Sequence, residues 1–329
     1  MAAWLTLGGV LMPGAAQAAQ ETTLATSGRD PAQFPAYVEQ LKRRAREQGI
    51  SQATLDRAFA QIHFVDRVIK ADRNQPEQKV TLDDYLRRVM TPVKVRQGRE
   101  LYRQRHAQWT RAGERYRVPG RYIIALWGME SAYGKIQGRE DVVSALATLA
   151  FEGRREAFFS QELMAALQIV EQGHVGDTPL KGSWAGAMGQ CQFMPSSFLR
   201  YAADGDGRID IWNNIDDVFA STASYLSKEG WQPGIGWGRE VKLPAGFNRA
   251  ELGLKDAQAR SVNAWQQRGV RRADGSALPH AVQRGWIIAP DDLQGRTFLV
   301  YDNFRTLMHW NRSYYFAIAV GMMADAIGH

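Results

Sequence analysis

The 329-residue chain has a single cysteine, Cys191, so no internal disulfide can form and a disulfide-stapled scaffold is excluded. It has no apolar run near the roughly 20 residues a bilayer-crossing helix needs, so no integral membrane segment is expected. No internal repeat is visible. Charge is only slightly unbalanced: 41 Lys and Arg against 34 Asp and Glu give a formal +7. That excess fits an anionic cell-wall polymer, lipid or nucleic acid, and equally fits an ordinary protein surface. No basic–aromatic module stands out, so nucleic acid is not expected as a partner. Apolar residues are plentiful at 45%, and 10 Trp, 11 Tyr and 13 Phe are too many for a solvated, disordered chain. They can bury a sizeable core, either as one large domain or as two to three smaller ones.

Residues 2–12 form a short apolar stretch, followed by Pro13-Gly14 and an A-x-A pattern at Ala16-Gln17-Ala18. This reads as a signal segment over residues 1–19. It looks truncated, since no Lys or Arg precedes the apolar stretch. No cysteine follows it to accept a lipid, so the expected product is an exported, soluble, periplasmic protein. Residues 20–35 are rich in Thr, Ser, Gly and Pro and read as a linker.

Beyond the linker, helical periodicity dominates. Phe34, Val38 and Leu41 recur at helical spacing, and Ser51 offers a cap for a second helix. Leu82, Tyr85, Leu86 and Val89 begin a basic amphipathic stretch that breaks at Pro92 and runs on to Tyr116. Its arginines read as a solvated helix face. Pro119 opens another helix that Gly134 ends. Two helices follow over 140–172, then a glycine-rich loop or short hairpin over 173–194, then helices near Pro195 and over 216–229. Residues 231–300 carry Gly and Pro punctuation with short β-prone pieces, and a final helix spans Tyr314 to Ile327. The fold class expected is mainly α (α+β). It has an N-terminal helical region (36–118), a helical core (119–230), a small inserted β-containing domain (231–300) and a C-terminal return (301–329).

Glu130 is the most informative residue. Ile123, Leu126, Trp127 and Glu130 lie at i, i+3, i+4 and i+7, which places a carboxyl on the apolar stripe of a helix. A carboxylate there is costly unless paired or protonated. Desolvation favours the neutral acid, which can then serve as a general acid near neutral pH. The bland alternative is a structural ion pair with a nearby Arg.

Several blocks resemble the membrane-bound lytic murein transglycosylase B family. They are Gly128-Met-Glu-Ser-Ala-Tyr-Gly134, Ala145-Leu-Ala-Thr-Leu-Ala-Phe151 and the sixteen residues from Gly182 to Ser197. Gly207-Arg-Ile-Asp-Ile-Trp212 and Asn311-Arg-Ser313 continue the likeness in order, which extends over roughly residues 35–329. The resemblance implies a lysozyme-like helical core over 119–230. It implies non-hydrolytic cleavage of the β-1,4 bond between N-acetylmuramic acid and N-acetylglucosamine in peptidoglycan, leaving 1,6-anhydromuramoyl ends. A single glutamate, here Glu130, would act first as acid and then as base. Ordinary glycosidases use two carboxylates. Asp141 and Glu152 are the nearest second candidates and read as helix-surface charges.

The resemblance also implies sugar-binding roles for Ser183, Gln192 and Asn311, and places the aromatic Tyr85 near the acid. Met188 and Phe193, in the same block as Ser183, would bind substrate. Arg154 and Arg155 would meet lactyl or peptide carboxylates. Peptidoglycan strands are the expected substrate and cell-wall synthesis proteins are candidate partners. Phe316 stands where the family often has Tyr, and the family's Gly-Tyr-Gly-Gln is Gly189-Gln-Cys-Gln192 here, which puts Cys191 beside the groove, as packing or as an oxidisable thiol. No cofactor is required. Calcium is the one candidate ion, through Asp204, Asp206, Asp210 and Asp216. Against a standard EF-hand, however, the loop is about two residues short and has Arg208 at position 5. Rival readings are a lysozyme-type hydrolase that uses water on the same polymer, and a non-catalytic wall-binding scaffold.

Overall fold

The computed structural model describes residues 29–74, 80–175, 179–205 and 208–328. The expected signal segment and residues 20–28 of the expected linker lie outside them, as does Asp206. Fourteen α-helices against seven short strands make the described chain mainly helical, with a minor sheet. No helix among the described residues is long and apolar enough to cross a membrane. The chain divides into two compact units that interleave along the sequence. One unit combines the described residues up to 74 with those from 130 to 222. The other combines 80–129 with 223–328.

The first unit is built around the helix Val142–Glu152, in which every residue is buried. Its sequence, VVSALATLAFE, explains why: the two hydroxyl side chains in its middle are spent on neighbours. Ser144 Oγ accepts from His63 N at 3.2 Å and Thr148 Oγ1 accepts from Val65 N at 3.1 Å, which ties down the loop before the helix Asp66–Arg73. Asp141 caps the helix by accepting from Ser144 N at 3.0 Å. Gly153, at φ 97°, ends it in the left-handed region. The chain then turns back into the helix Glu156–Glu171, which packs along its predecessor. Phe34 and Phe151 meet edge-on at 5.5 Å, fastening the N-terminal helix Phe34–Glu47 to this pair.

Two expectations are corrected here. Asp141 and Glu152 are not surface charges, being 8% and 7% exposed. Asp141 is the helix cap just described. Glu152 accepts from Arg73 Nη2 at 2.7 Å and from Arg154 N at 3.0 Å. Burial works against its charge, but these donors outweigh burial and hold the carboxyl below its ordinary range.

The second unit contains the five-stranded antiparallel sheet. Its spatial order is Arg260–Ser261, Arg284–Ile288, Thr297–Val300, Gly238–Lys242, Arg271–Arg272. The strand Thr297–Val300 pairs on both edges and is buried throughout. Trp265, from a short helix, fills the sheet's core beside Val241, Ile287 and Leu299, and its indole N–H donates to Gly285 O at 3.0 Å. The C-terminal helix Tyr314–Ile327 packs on Pro92–Gln104 and Leu82–Val89, so the basic stretch keeps one face inward. Arg87, Arg88, Arg96, Arg99 and Arg103 on that stretch are exposed, as expected for a solvated face, whereas Arg105, expected there too, is half-buried.

Candidate active site

Glu130 sits in the last turn of the helix Gly120–Ser131 and is 6% exposed. The helix is buried on all sides: residues 122–130 are buried without a break, so the expected amphipathic stripe is a fully enclosed helix. The helix stops abruptly. Ala132, Tyr133 and Gly134 follow at φ 48°, 60° and 85°, three successive left-handed residues. Two of them carry side chains and are strained there. Burial pushes the Tyr133 phenol up, so its hydroxyl keeps its proton.

The segment released by this stop is the backbone on which the other sugar-binding candidates rest. Gln137 O accepts from Gln192 Nε2 at 3.1 Å, and Gly189 O accepts the second N–H of the same amide at 2.8 Å. Gln192 is itself left-handed, at φ 52°. Both of its amide protons face carbonyl oxygens, so its Oε1 is left as the acceptor. Ser183 has the opposite polarity. Its Oγ accepts from Ala185 N at 3.3 Å and Ala187 N at 3.1 Å, which fills both lone pairs and leaves the O–H to donate. Gly138 touches the Gly182–Ser183 backbone so closely that an added Cβ would fall 2.1 Å from Gly182 O. A small curl completes the arrangement. Glu140–Asp141 pairs antiparallel with Lys181–Gly182, Gly182 bridges to Met188, and Met188 bridges to Phe193.

Glu130, Ser183, Gln192, Met188 and Phe193 therefore belong to one unit. Met188 is fully buried and Phe193 is 3% exposed, so both side chains pack beneath the curl. Arg154 and Arg155 lie in the same unit at the turn between the two central helices, where an acid that the sequence did not single out engages them. Asp72, 8% exposed, pairs with Arg154 and stands 3.9 Å from Arg155 Nη1. Arg155 also lies over the Phe158 ring at 4.6 Å. Tyr85 and Asn311 belong to the second unit. Tyr85 lies 5.6 Å from the Tyr315 ring, and Asn311 caps the helix Asp302–Trp310. Beside the buried Phe316, Tyr315 donates its hydroxyl to Val80 O at 2.9 Å and to Asp291, which also accepts from Leu82 N. A tyrosine hydroxyl is thus present next to the position where the family residue is missing, and it is committed to structure.

Cys191 is 2% exposed. Burial pushes its thiol up to about 12, against the Thr222 hydroxyl contact. The oxidisable-thiol reading therefore gives way to packing. At pH 8 the folded protein should react with a disulfide-exchange reagent about 10³-fold more slowly than the unfolded chain, as its thiolate fraction requires. Equal rates in buffer and in guanidinium would contradict this.

In the described part of the aspartate loop, which does not include Asp206, two carboxylates are turned onto backbone N–H groups. Asp210 Oδ1 accepts from Trp212 N at 2.9 Å and Asn213 N at 3.0 Å. Asp217, fully buried and missed in the sequence, accepts from Gly205 N and Asp210 N at 2.6 Å each and draws the loop ends together. Arg208 is exposed. Among the described residues no three His, Cys, Asp or Glu side chains gather to hold a metal.

Comparison with known proteins gives the family and the fold. Residues 33–325 match the family described as Transglycosylase SLT domain. The membrane-bound lytic murein transglycosylase B of Escherichia coli is 29% identical over 91% of this chain and 84% of its own length. The crystal structure of SltB3 from Pseudomonas aeruginosa, in complex with NAG-anhNAM-pentapeptide, superposes with a TM-score of 0.86 at 39% identity, covering 90% of this chain and 79% of that one. An Escherichia coli lytic transglycosylase in complex with calcium superposes with a TM-score of 0.74 at 29% identity, covering 89% and 93%.

Proposed function

The chain belongs to the transglycosylase SLT domain family and is a peptidoglycan lytic transglycosylase; from that premise we propose that Glu130 carries both proton transfers of its reaction. The protonated carboxyl gives its proton to the glycosidic oxygen as the bond from the muramoyl C1 breaks. The C6 hydroxyl oxygen of the same sugar then attacks C1, and its proton passes to the Glu130 carboxylate. The acid is restored and no water is consumed. The tethered hydroxyl needs no second carboxylate to activate it, because intramolecularity supplies a large effective concentration.

The observation that carries this reading is the burial of Glu130 at the end of a wholly enclosed helix, since a desolvated carboxyl favours its neutral, proton-donating form. Five further carboxyls of the same unit are buried and engaged by protein groups. Asp72 and Glu152 hold arginines, Asp141 caps a helix, Glu162 accepts from Ser196 N at 2.9 Å, and Asp217 closes the aspartate loop. Ser183 as a donor and Gln192 as an acceptor supply complementary contacts for acetamido and hydroxyl groups of the sugars. Met188 and Phe193 support the curl that carries them. Tyr85 and Asn311, which the resemblance also assigns to substrate binding, belong to the second unit. Arg154 and Arg155 meet substrate carboxylates in exchange for Asp72. SltB3 has been crystallised with NAG-NAM-pentapeptide, and we take peptidoglycan strands as the substrate here too. That polymer places the working site in the periplasm.

Digestion of sacculi in H₂¹⁸O, followed by mass spectrometry, tests the water-free step. Anhydro ends without the heavy isotope are expected. Reducing ends carrying ¹⁸O would establish the hydrolase reading instead.

A further inference from the structure

The loop that follows the helix of Glu130 is tied down by one of its own side chains. Gln137 is half-buried, and its Nε2 donates to Gly134 O and to Trp212 O, each at 3.1 Å. Both partners are carbonyl oxygens, so only the amide nitrogen can face them, and its two N–H groups serve one each. Trp212 is a fixed anchor. Its backbone N–H donates to Asp210 Oδ1 at 2.9 Å, its indole N–H donates to Lys181 O at 2.9 Å, and its carbonyl oxygen also accepts from Gln190 Nε2 at 2.9 Å. The other end of the tie is the left-handed turn. Gly134, at φ 85°, donates its N–H to Ser131 Oγ at 3.0 Å. Gln137 is thereby clamped between the turn that follows Glu130 and the aspartate loop. Its own carbonyl oxygen, held in this way, is one of the two that orient the Gln192 amide.

We propose that Gln137 is a positioning residue for the reaction: it aims Gln192 at the sugar without contacting the strand itself. The inference rests on the lytic-transglycosylase reading, with Gln192 as a sugar acceptor, and deepens it. The Gln192 amide presents Oε1 outward only while its two N–H groups point at Gln137 O and Gly189 O. Gly189 O belongs to the tight turn that contains Gln192, since Gln192 N also donates to it at 3.2 Å. Gln137 O arrives from 55 residues away along the chain. Its place therefore depends on what holds that distant loop, and the Gln137 side chain supplies two of the bonds. The amide is suited to this by its pair of donors. A glutamate of the same shape would turn oxygens onto two carbonyl oxygens, and a methionine would leave both carbonyls without this donor. Either change frees the loop and shifts the carbonyl that aims Gln192.

The test is a double-mutant cycle on the full chain: Gln137→Met, Gln192→Met and the two together, read as kcat and KM on soluble peptidoglycan strands. Gln137→Met should lower kcat/KM by roughly tenfold, a smaller loss than the about 10²-fold that a 1 Å misplacement can cause. Its thermal midpoint should stay within a few degrees of the unaltered protein's, as the loss of two side-chain hydrogen bonds implies. The loss should divide between kcat and KM in the same proportion as that of Gln192→Met. In the Gln192→Met background the Gln137 change should cost less than about twofold, because no amide remains to be aimed. A residue that merely stabilises the fold would cost the same factor in both backgrounds. Gln137→Glu, which keeps the shape and loses the donors, should reproduce the loss, and it keeps the test decisive if the methionine variant does not fold. Equal factors in the two backgrounds, a different division between kcat and KM, or a Gln137→Glu protein as active as the unaltered one would each overturn the proposal. If the unaltered protein yields reducing ends, or no turnover, the functional reading fails instead. The same cycle, read as strand binding by calorimetry, then still decides whether Gln137 aims Gln192.

Discussion

Glu130→Gln should lower the release of anhydromuropeptides from sacculi by about 10²–10⁴-fold, the range general acid–base catalysis supplies, while sacculus binding stays unchanged. The substitution keeps the shape of the side chain and removes only its ability to give up and recover a proton. Because the residue is 6% exposed in a helix buried on every side, a smaller or differently shaped replacement would confuse loss of chemistry with loss of packing. The amide should leave the thermal midpoint close to that of the unaltered protein. The loss should fall on kcat rather than KM, since the proton moves in the transition state. Retention of turnover within about tenfold, with anhydro ends still formed, would remove Glu130 from both steps and reopen the roles of the other buried carboxyls of the unit.

The burial of Glu130 was legible in the sequence, because a carboxyl spaced with Ile123, Leu126 and Trp127 shares the face of apolar residues. The helices that carry the site were legible for a related reason. The helix expected from Pro119 runs from Gly120 to Ser131, and the one expected over Tyr314 to Ile327 has those limits. Both are rich in apolar residues with clear stops or caps. The helices Asp66–Arg73 and Asp302–Trp310 went unread, since each mixes few apolar residues among polar ones and depends on tertiary packing. That first unread helix explains a larger omission. It carries Asp72 and Arg73, the partners of the Arg154–Arg155 pair and of Glu152. A charge near a hydrophobic run looks like a surface charge until its partner some eighty residues away is placed beside it. Asp217 was missed on the same grounds: its acceptors' work is to bind backbone N–H groups, and no side-chain pattern announces it. Ser183 and Gln192 could be chosen by family likeness, but their opposite hydrogen-bonding polarity follows only from the carbonyl and N–H groups that surround them.

Gly138→Ala should disable the enzyme although it replaces none of the residues proposed to contact the sugars. Two independent constraints act at this position. The backbone stands at φ 85°, where an L side chain is strained. An added Cβ would lie 2.1 Å from Gly182 O and 2.5 Å from Ser183 N, and these are backbone atoms with no rotamer to retreat into. Gly134, also at φ 85°, is a useful contrast, because its added Cβ would meet the end of the Gln190 side chain, which can give way without moving backbone at the expense of its hydrogen bond to Trp212 O. Gly134→Ala should therefore carry mainly the left-handed cost, on the order of 1–2 kcal/mol. Gly138→Ala must in addition push the Gly182–Ser183 segment aside. A total of at least about 3 kcal/mol is expected in denaturant unfolding, beyond the usual range for a single substitution that leaves the core intact. The same displacement breaks the pairing of Lys181–Gly182 with Glu140–Asp141 and moves the Ser183 hydroxyl from the position its two N–H partners fix. A shift of about 1 Å in a positioning contact can cost about 10²-fold in rate. Turnover should therefore fall by that order even at temperatures where the variant is fully folded. Folded Gly138→Ala protein with normal turnover would show that the Gly138–Ser183 contact does not position the serine.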